Sequence, residues 1–398
     1  MRIALMPSTY HPQIGGVEEL SRNLASQLRQ GGHIVEVWTS DGPDHQLPKF
    51  ETLEGVSVRR FHFLLPRAYW GAVLDFGLRG SGQLFKLLLA AHRFRPDIVH
   101  VQCFSGQGLY ATIVCRALRI PMVVTLQGET VMDANDIYDH SLTLRSALRL
   151  GLRSASQVTA CSQFVLDDAR RFGLVGGSVV PNAARLAPTS DQELSVSIPF
   201  ERFVLGMGRL VHKKGFDLLL RAFAGLEDSA GTGLVIAGDG GERAALEALA
   251  AKLGIEGRVH FTGPLDRAGV SSVLTRAAVF CMPSRVEPFG IVAIEAWAAG
   301  VPVVATSVGG ASDFVTDGIS GLLVDPKDTV TLSQALTRAL HDSSFRGQVI
   351  TAGAKAAKAY TWPRITPQYV KIYQALLPQQ PGHAASQLSP VHASRDGA

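Results

Sequence analysis

Short apolar runs of strand length alternate with longer stretches of helical periodicity, and the alternation occurs twice. In the first series, residues 3–6, 34–39, 98–102 and 122–126 read as buried strands, with helical stretches at 17–30 and 109–118. The second places strands at 203–207, 234–237, 259–261, 279–282 and 301–305, with helices at 216–226 and 243–253. This order builds parallel sheets covered by helices. Between the series, Pro181-Asn182 through Pro188 and the polar stretch 189–197 read as a linker. The expected fold class is α/β, with two doubly wound parallel-sheet domains at residues 1–185 and 186–361. A final helix at 362–377 opens on Trp362-Pro363 and carries Ile365, Tyr369, Ile372 and Tyr373 along one face. The Pro-, Gln-, Ser-, His- and Gly-rich remainder, 378–398, reads as a mobile tail.

A chain of 398 residues, 46% of them hydrophobic, can fill two such cores. Its net charge of +4, without any long Lys/Arg block, gives nucleic-acid binding no support. Cys103, Cys115, Cys161 and Cys281 lack metal-type or redox spacing, which suits reduced thiols in a cytoplasmic setting. Pro7 and Pro12 interrupt the first apolar stretch before a signal-peptide core is complete, and no apolar run is long enough to span a bilayer. The stretch 84–91, with Lys86, Arg79, Arg93 and Arg95, reads either as a domain helix with a solvated edge or as a basic helix touching the inner face of a membrane.

Ligands of open parallel sheets lie beyond the carboxyl ends of the strands, where this chain places Gly15-Gly16, Gly206-Met207-Gly208-Arg209 and Gly238-Asp239-Gly240-Gly241. None forms a complete G-x-G-x-x-G fingerprint, which disfavours a nicotinamide dehydrogenase. Arg209 and Lys214 follow one of these turns and could both reach a diphosphate, or form a solvated basic loop. Glu287 and Glu295 bracket an otherwise apolar segment. Pro288 suits the first turn of a helix and Gly300 its C-terminal cap. Glu295 would then stand roughly 8 Å along the axis from the helix start. Backbone N–H groups there favour a phosphate, and the carboxylates can accept hydrogen bonds from sugar hydroxyls, which together suggest a sugar nucleotide. The bland alternative is a carboxylate complementing the helix dipole and another facing solvent. Asp133, Asp136 and Asp139 could cap or solubilise a helix as readily as bind a metal, and no dense acidic metal site is apparent.

Taken in order, Gly15-Gly16-Val17-Glu18, the loop from Gly206 to Gly215, Ala237-Gly238-Asp239-Gly240, Phe261-Thr262-Gly263, the Glu287 to Glu295 run, Gly309-Gly310 and Gly321-Leu322-Leu323-Val324 resemble glycosyltransferase family 4. The resemblance implies a GT-B fold, with an N-terminal acceptor-binding and a C-terminal nucleotide-sugar-binding Rossmann-like domain facing across a cleft, and a last helix returning to the first domain. It also implies metal-independent transfer from a nucleotide-diphosphate sugar with retention of configuration, and no cofactor beyond that co-substrate. UDP is the favoured base and GDP the alternative. Glu287 would contact the donor sugar and Glu295 the ribose, while Phe289, Gly290 and Ile291 would offer backbone. Arg209 and Lys214 would stabilise the leaving diphosphate, approached from the other side by Gly15 and Gly16. Thr262, Gly263 and Leu265 would edge the base.

The acceptor side departs from the family pattern, because many relatives carry histidine where this chain has Gln102 and Gln127. Glutamine orients a hydroxyl but cannot act as a base near neutral pH. The acceptor-side candidates are His11, His100, Gln127, Gly128 and Glu129, although a lone histidine at the position of His100 is more often a structural strand-end fixture. The expected reaction transfers a hexose-type unit to a glycan, glycolipid or small glycoside during cell-envelope or exopolysaccharide assembly. A sugar-nucleotide epimerase of similar fold and a sugar-nucleotide-binding scaffold or sensor are the alternatives.

Overall fold

A computed structural model describes residues 1–13, 15–42, 47–64, 80–133, 136–185, 196–226 and 231–378. Most of the expected linker, the expected tail beyond 378 and Arg79 lie outside the described residues. Strands β1 (Arg2–Pro7), β2 (Ile34–Ser40), β3 (Phe50–Leu53), β4 (Val56–Phe61), β5 (Ile98–Gln102), β6 (Met122–Leu126), β7 (Gln157–Ala160) and β8 (Ser178–Val179) form one sheet. Its order is β3-β4-β2-β1-β5-β6-β7-β8, parallel except for the antiparallel β3–β4 edge. The second sheet joins β9 (Arg202–Met207), β10 (Thr232–Ala237), β11 (Val259–Gly263), β12 (Val279–Met282), β13 (Val303–Thr306) and β14 (Leu322–Val324) in the order β11-β10-β9-β12-β13-β14. All its pairings are parallel. In both sheets the order reverses direction beside the first strand, the switch point where such folds bind ligands.

The helices used below are α1 (Gly16–Gln30), α2 (Ser81–Phe94), α3 (Gly106–Leu118), α4 (Glu129–Met132), α5 (Ile137–His140), α6 (Leu142–Ser154), α7 (Gln163–Asp168), α8 (Phe216–Ala224), α9 (Arg243–Lys252), α10 (Arg267–Arg276), α11 (Ile291–Ala298), α12 (Thr329–His341), α13 (Ser343–Ala357) and α14 (Trp362–Leu376). Two sets of their N-termini contrast. Helices α7, α10, α12 and α13 begin behind Ser162, Asp266, Asp328 and Asp342, whose side chains accept a hydrogen bond from the first turn. Helices α1, α4, α8 and α11 begin behind Gly15, Gly128, Gly215 and Gly290, with no side-chain cap. These glycine-led ends follow strands β1, β6, β9 and β12 at the carboxyl edges of the sheets, the edge where open parallel sheets bind ligands.

Helix α14 closes the chain back onto the first sheet. Trp362, Ile365, Tyr369 and Tyr373 pack with Leu20, Leu24, Val35 and Ile98 in one buried cluster. Each such side chain contributes about 1.5–3 kcal/mol of burial, so the helix is an integral part of the first domain's core. The stretch around residue 84 is the amphipathic helix α2, which buries Leu87, Ala90, Ala91 and Phe94 and leaves Phe85 and Leu89 exposed.

Candidate active site

Lys214 and Glu287 are brought together by two turns of the second domain. After β9 the chain turns at Gly208, whose N–H donates to Ala237 O at 3.0 Å, and passes through a single 3-10 turn, His212–Lys214. The Lys214 Nζ donates to Glu287 Oε2 at 2.7 Å, and the same oxygen accepts from Ser284 Oγ at 2.8 Å. Glu287 is only 5% exposed. A two-way backbone contact fixes it, Glu287 N–H to Val308 O at 3.1 Å and Gly310 N–H to Glu287 O at 2.8 Å. Oε1 is left without a partner among the described residues, and Lys214 retains further N–H donors for an anion. Arg209 is exposed and unpaired among the described residues, within the same loop.

The expected helix around Glu295 starts three residues later than Pro288 would suggest. The extended bridge at Glu287 holds that residue in a strand-like conformation, and Gly290, at φ +96°, makes the turn that lets α11 begin at Ile291. A side chain at Gly290 would also meet the Met282 Sδ at 2.6 Å. The helix ends at Ala298, with Ala299 as its C-cap and Gly300 just beyond. Pro288 instead lies in the loop between β12 and α11, where its carbonyl accepts from Ser162 Oγ of the first domain at 2.6 Å. Glu295 therefore stands about 6 Å of helix rise beyond Ile291. The Phe289 ring is buried against Phe314 and Tyr360, at centroid distances of 5.1 and 6.0 Å, so this residue offers only backbone.

Glu295 is not a solvent-facing carboxylate. Its Oε1 accepts from Arg267 at 2.9 Å, and Arg267 also reaches Glu19 of α1 at 3.3 Å. Burial raises the Glu295 pKa above the usual carboxylate range, opposed by Arg267. Arg267 opens α10 immediately after the turn containing Thr262, Gly263 and Leu265, so this turn and the Glu295 edge adjoin. Sequence reading missed Arg267, Ser284 and Ser162, whose partners are distant in sequence or on another turn. Only Ser284, three residues before Glu287, had a local signal.

On the first domain, Gly15 precedes the uncapped start of α1, and a side chain added at Gly16 would meet nothing within 4 Å. That open space suits an approaching ligand. The side chain of Glu18 is held by Thr9 Oγ1 at 2.5 Å. The exposed His11 lies on the same β1 loop, and its carbonyl accepts from Arg60 at 2.7 Å. Gln127 donates to Gln102 Oε1 at 3.0 Å and accepts from Asn182 at 2.8 Å. The Glu129 carboxylate accepts the N–H of Phe104 at 2.5 Å and of Gln127 at 2.7 Å, so it braces two loops. Burial pushes its pKa up to about 7 against those donors.

His100 is corrected from an acceptor contact to a core residue. It is fully buried in β5, with Nδ1 bonded to Tyr373 Oη and Nε2 to Thr125 Oγ1, both at 2.6 Å. Burial lowers its pKa to about 3, leaving it neutral at any ordinary pH. It ties α14 to the first sheet.

The two domains touch across the cleft. Lys213, next to the Lys214 that holds Glu287, donates to Val131 O at 2.8 Å, Asp133 O at 2.6 Å and Asp136 Oδ1 at 2.6 Å. Asp136 is thus a partner for lysine, and no group of three or more His, Cys, Asp or Glu side chains could hold a metal among the described residues. Gly128, at φ +89°, lies so close to Pro288 that an added Cβ would sit 2.3 Å from its Cγ. The cleft therefore has cations and a buried carboxylate on one wall, an amide network braced by Glu129 on the other, and uncapped helix ends on both.

That division has counterparts among known proteins. Residues 15–183 match the "Glycosyl transferase 4-like domain" family model and residues 194–356 match "Glycosyl transferases group 1". An uncharacterized glycosyltransferase of Methanocaldococcus jannaschii is 27% identical over 94% of this chain and 98% of its own length. The phosphatidyl-myo-inositol mannosyltransferase of Mycobacterium leprae is 29% identical over 94% of this chain and 97% of its own. The Anabaena Alr3699/HepE structure in complex with UDP-glucose superposes with a TM-score of 0.74 at 22% identity, covering 94% of this chain and all of that one. The chain belongs to the group 1, family 4-type glycosyltransferases and has their GT-B fold.

Proposed function

We propose that the chain is a retaining, metal-independent hexosyltransferase. Its donor is a nucleotide-diphosphate sugar, with UDP favoured over GDP, and its acceptor is a glycan, glycolipid or small glycoside in cell-envelope or exopolysaccharide assembly at the cytoplasmic side. The observation that carries this reading is the Lys214–Glu287–Ser284 cluster beside the uncapped start of α11. A diphosphate there meets a cation and backbone N–H groups, which offset the charge gathering on a leaving phosphate without a metal. In this reading the free Glu287 oxygen accepts from a hydroxyl of the transferred sugar, and Glu295 from the ribose. A UDP-glucose complex of a protein with this fold, and a curated lipopolysaccharide core glycosyltransferase of Rhizobium meliloti 41% identical over 38% of this chain, agree with the proposed donor and pathway classes.

In the reaction, the acceptor oxygen bonds to the anomeric carbon on the face from which the diphosphate departs. The carbon–phosphate-oxygen bond breaks, and the acceptor proton passes to a donor phosphate oxygen. Gln127 needs only to orient the hydroxyl, since an amide cannot act as a base near neutral pH. The test is a thermal-shift panel of UDP-, GDP- and ADP-sugars, followed by transfer to acceptors from envelope extracts with and without chelator. Coupling constants of the product should report the donor's anomeric configuration. An inverted product would defeat the retaining mechanism, and a C2-epimerised donor formed without acceptor would revive the epimerase.

A further inference from the structure

Between α2 and the β3–β4 edge of the first sheet lies a cavity of about 530 Å³ that the donor chemistry does not use. Five permanent cations line it: Lys49, Arg59, Arg60, Lys86 and Arg93. Its one lining carboxylate among the described residues, Asp41, faces His62 at 3.4 Å. Two of the arginines are committed. Arg59 pairs with Glu36, and Arg60 pairs with Glu51 while also binding Pro48 O at 3.1 Å and His11 O at 2.7 Å. Even so, the Arg60 Nε is buried without a partner. Lys49, Lys86 and Arg93 are exposed and make no ion pair among the described residues.

Three unpaired cations converge here from two elements, in a chain whose net charge is only +4. Their mutual repulsion is offset when an anion enters, and the paired arginines keep the lining positive after their own partners are counted. The helix dipole accounts for Arg93 in the last turn of α2, but not for Lys49 on the other wall or Lys86 in mid-helix. Phe61, Leu89 and Ala90 add apolar surface to the lining.

The cavity opens near the cleft. Asp41 and His62 follow β2 and β4, at the same carboxyl edge that carries the β1 loop, and β4 lies two strands from β1. That separation is about 10 Å, and Arg60 spans it by binding the His11 carbonyl. A ligand held here by an anionic group could extend another part toward the transfer site.

We infer that this cavity is an acceptor subsite for phosphate: the acceptor carries a phosphate ester or diphosphate that binds Lys49, Lys86 and Arg93 while its free hydroxyl lies in the cleft. The inference rests on the glycosyltransferase reading for the word acceptor, but the phosphate site stands on its own residues. Exposed Phe50 and Phe85 beside it make a lipid-borne phosphate one source and a soluble sugar phosphate the other.

The test uses the full chain saturated with whichever nucleoside diphosphate gives the largest thermal shift, so that the donor site is filled. Inorganic pyrophosphate is then titrated by calorimetry, and vesicles of phosphatidylcholine with or without phosphatidylglycerol are assayed by flotation. The wild type is compared with the triple variant Lys49→Ala/Lys86→Ala/Arg93→Ala, whose positions are exposed. Pyrophosphate binding that weakens at least tenfold in the variant, with nucleotide binding unchanged within twofold, supports the subsite with a soluble source. Flotation that requires phosphatidylglycerol and is lost in the variant supports it with a lipid source. Neither probe binding the wild type, or both binding the variant equally well, overturns it. Failure of every nucleotide to bind counts against the donor reading, and the pyrophosphate and vesicle arms remain measurable.

Discussion

The two walls of the cleft are built on different physical plans. On the second domain, Lys214, Glu287 and Ser284 form a charged cluster that still has open valences, next to the uncapped start of α11. On the first, Gln102, Gln127, Asn182 and Glu129 largely satisfy one another or nearby backbone. Unspent hydrogen-bonding capacity marks a surface prepared for one fixed ligand. A network whose groups largely satisfy one another instead makes a wall whose contacts can be rearranged at modest cost, as a variable acceptor would require.

The sharpest way to break this comparison is to remove one member from each wall. Lys214→Ala removes the cation from the leaving group and strands the Glu287 carboxylate, so kcat should fall by about 10²–10³. Glu287→Gln should cost a comparable factor. Gln127→Ala should lower kcat less than about tenfold and act mainly on the acceptor KM, because neighbouring amides can reorient. Steady-state kinetics with both substrates varied decides the matter. Equal losses in kcat from Lys214→Ala and Gln127→Ala would erase the distinction.

A second comparison concerns two glycines facing the cleft. Gly128→Ala must place a side chain at φ +89° and push its Cβ against Pro288 at 2.3 Å. The backbone strain alone is about 1–3 kcal/mol, and the clash should also pry the domains apart. Gly16→Ala meets nothing within 4 Å and should leave folding stability nearly unchanged. Denaturant midpoints and the radius of gyration from small-angle scattering should separate the two variants. A Gly128→Ala protein as stable and compact as the wild type would mean that the Pro288 contact is not kept in solution.

His100 sharpens the contrast within the first domain. Its native pKa is depressed to about 3, whereas unfolding restores a value near 6.5. The unfolded chain therefore takes up this proton first, and the His100 contribution to stability falls as pH drops below about 6.5 and continues to fall toward 3, opposed by Glu129, whose raised pKa makes the native state take up its proton first. The His100 contribution alone should fall by about 2 kcal/mol between neutral pH and pH 5, read as the difference between wild type and His100→Gln. His100→Gln should be less stable at pH 7, because Tyr373 and Thr125 lose their fitted partner, but should lack this acid-side slope. Denaturant unfolding at pH 5 and 7 measures both. An unchanged slope would place the titrating group elsewhere.

The same contrasts explain what could be read beforehand. Parallel sheets were legible because fully buried strands such as β5 and β6 are continuous apolar runs between helical stretches. The donor wall was legible because glycine turns place Lys214 and Glu287 by local backbone rules. The start of α11 was misread because Pro288 suits a first helical turn, yet the Glu287 bridge to Gly309 holds that segment extended. His100 was misassigned because nothing near it in sequence announces Tyr373, which comes from the last helix. Arg267 was missed for a similar reason: its partners Glu295 and Glu19 lie in two different domains.

The smallest expected effects separate the two interdomain links themselves. Lys213 donates to three oxygens of the α4–α5 region, two of them the backbone carbonyls of Val131 and Asp133. The Arg267–Glu19 contact is longer, at 3.3 Å, and its arginine side chain is 44% exposed. Exposed pairs of the second kind contribute about 0–1 kcal/mol and fade with salt. Hydrogen bonds from a charged donor to fixed carbonyls contribute about 1.5–3 kcal/mol, reduced where solvent competes. Lys213→Ala should therefore shift the unliganded protein toward an open form and raise the donor KM several-fold, because Lys214 sits on the same turn. Glu19→Gln should change domain separation little at physiological salt. Scattering profiles at low and high salt, with and without nucleotide, would show the ranking. If Glu19→Gln opened the protein more than Lys213→Ala did, closure would be governed from the ribose end of the cleft and not from the diphosphate end.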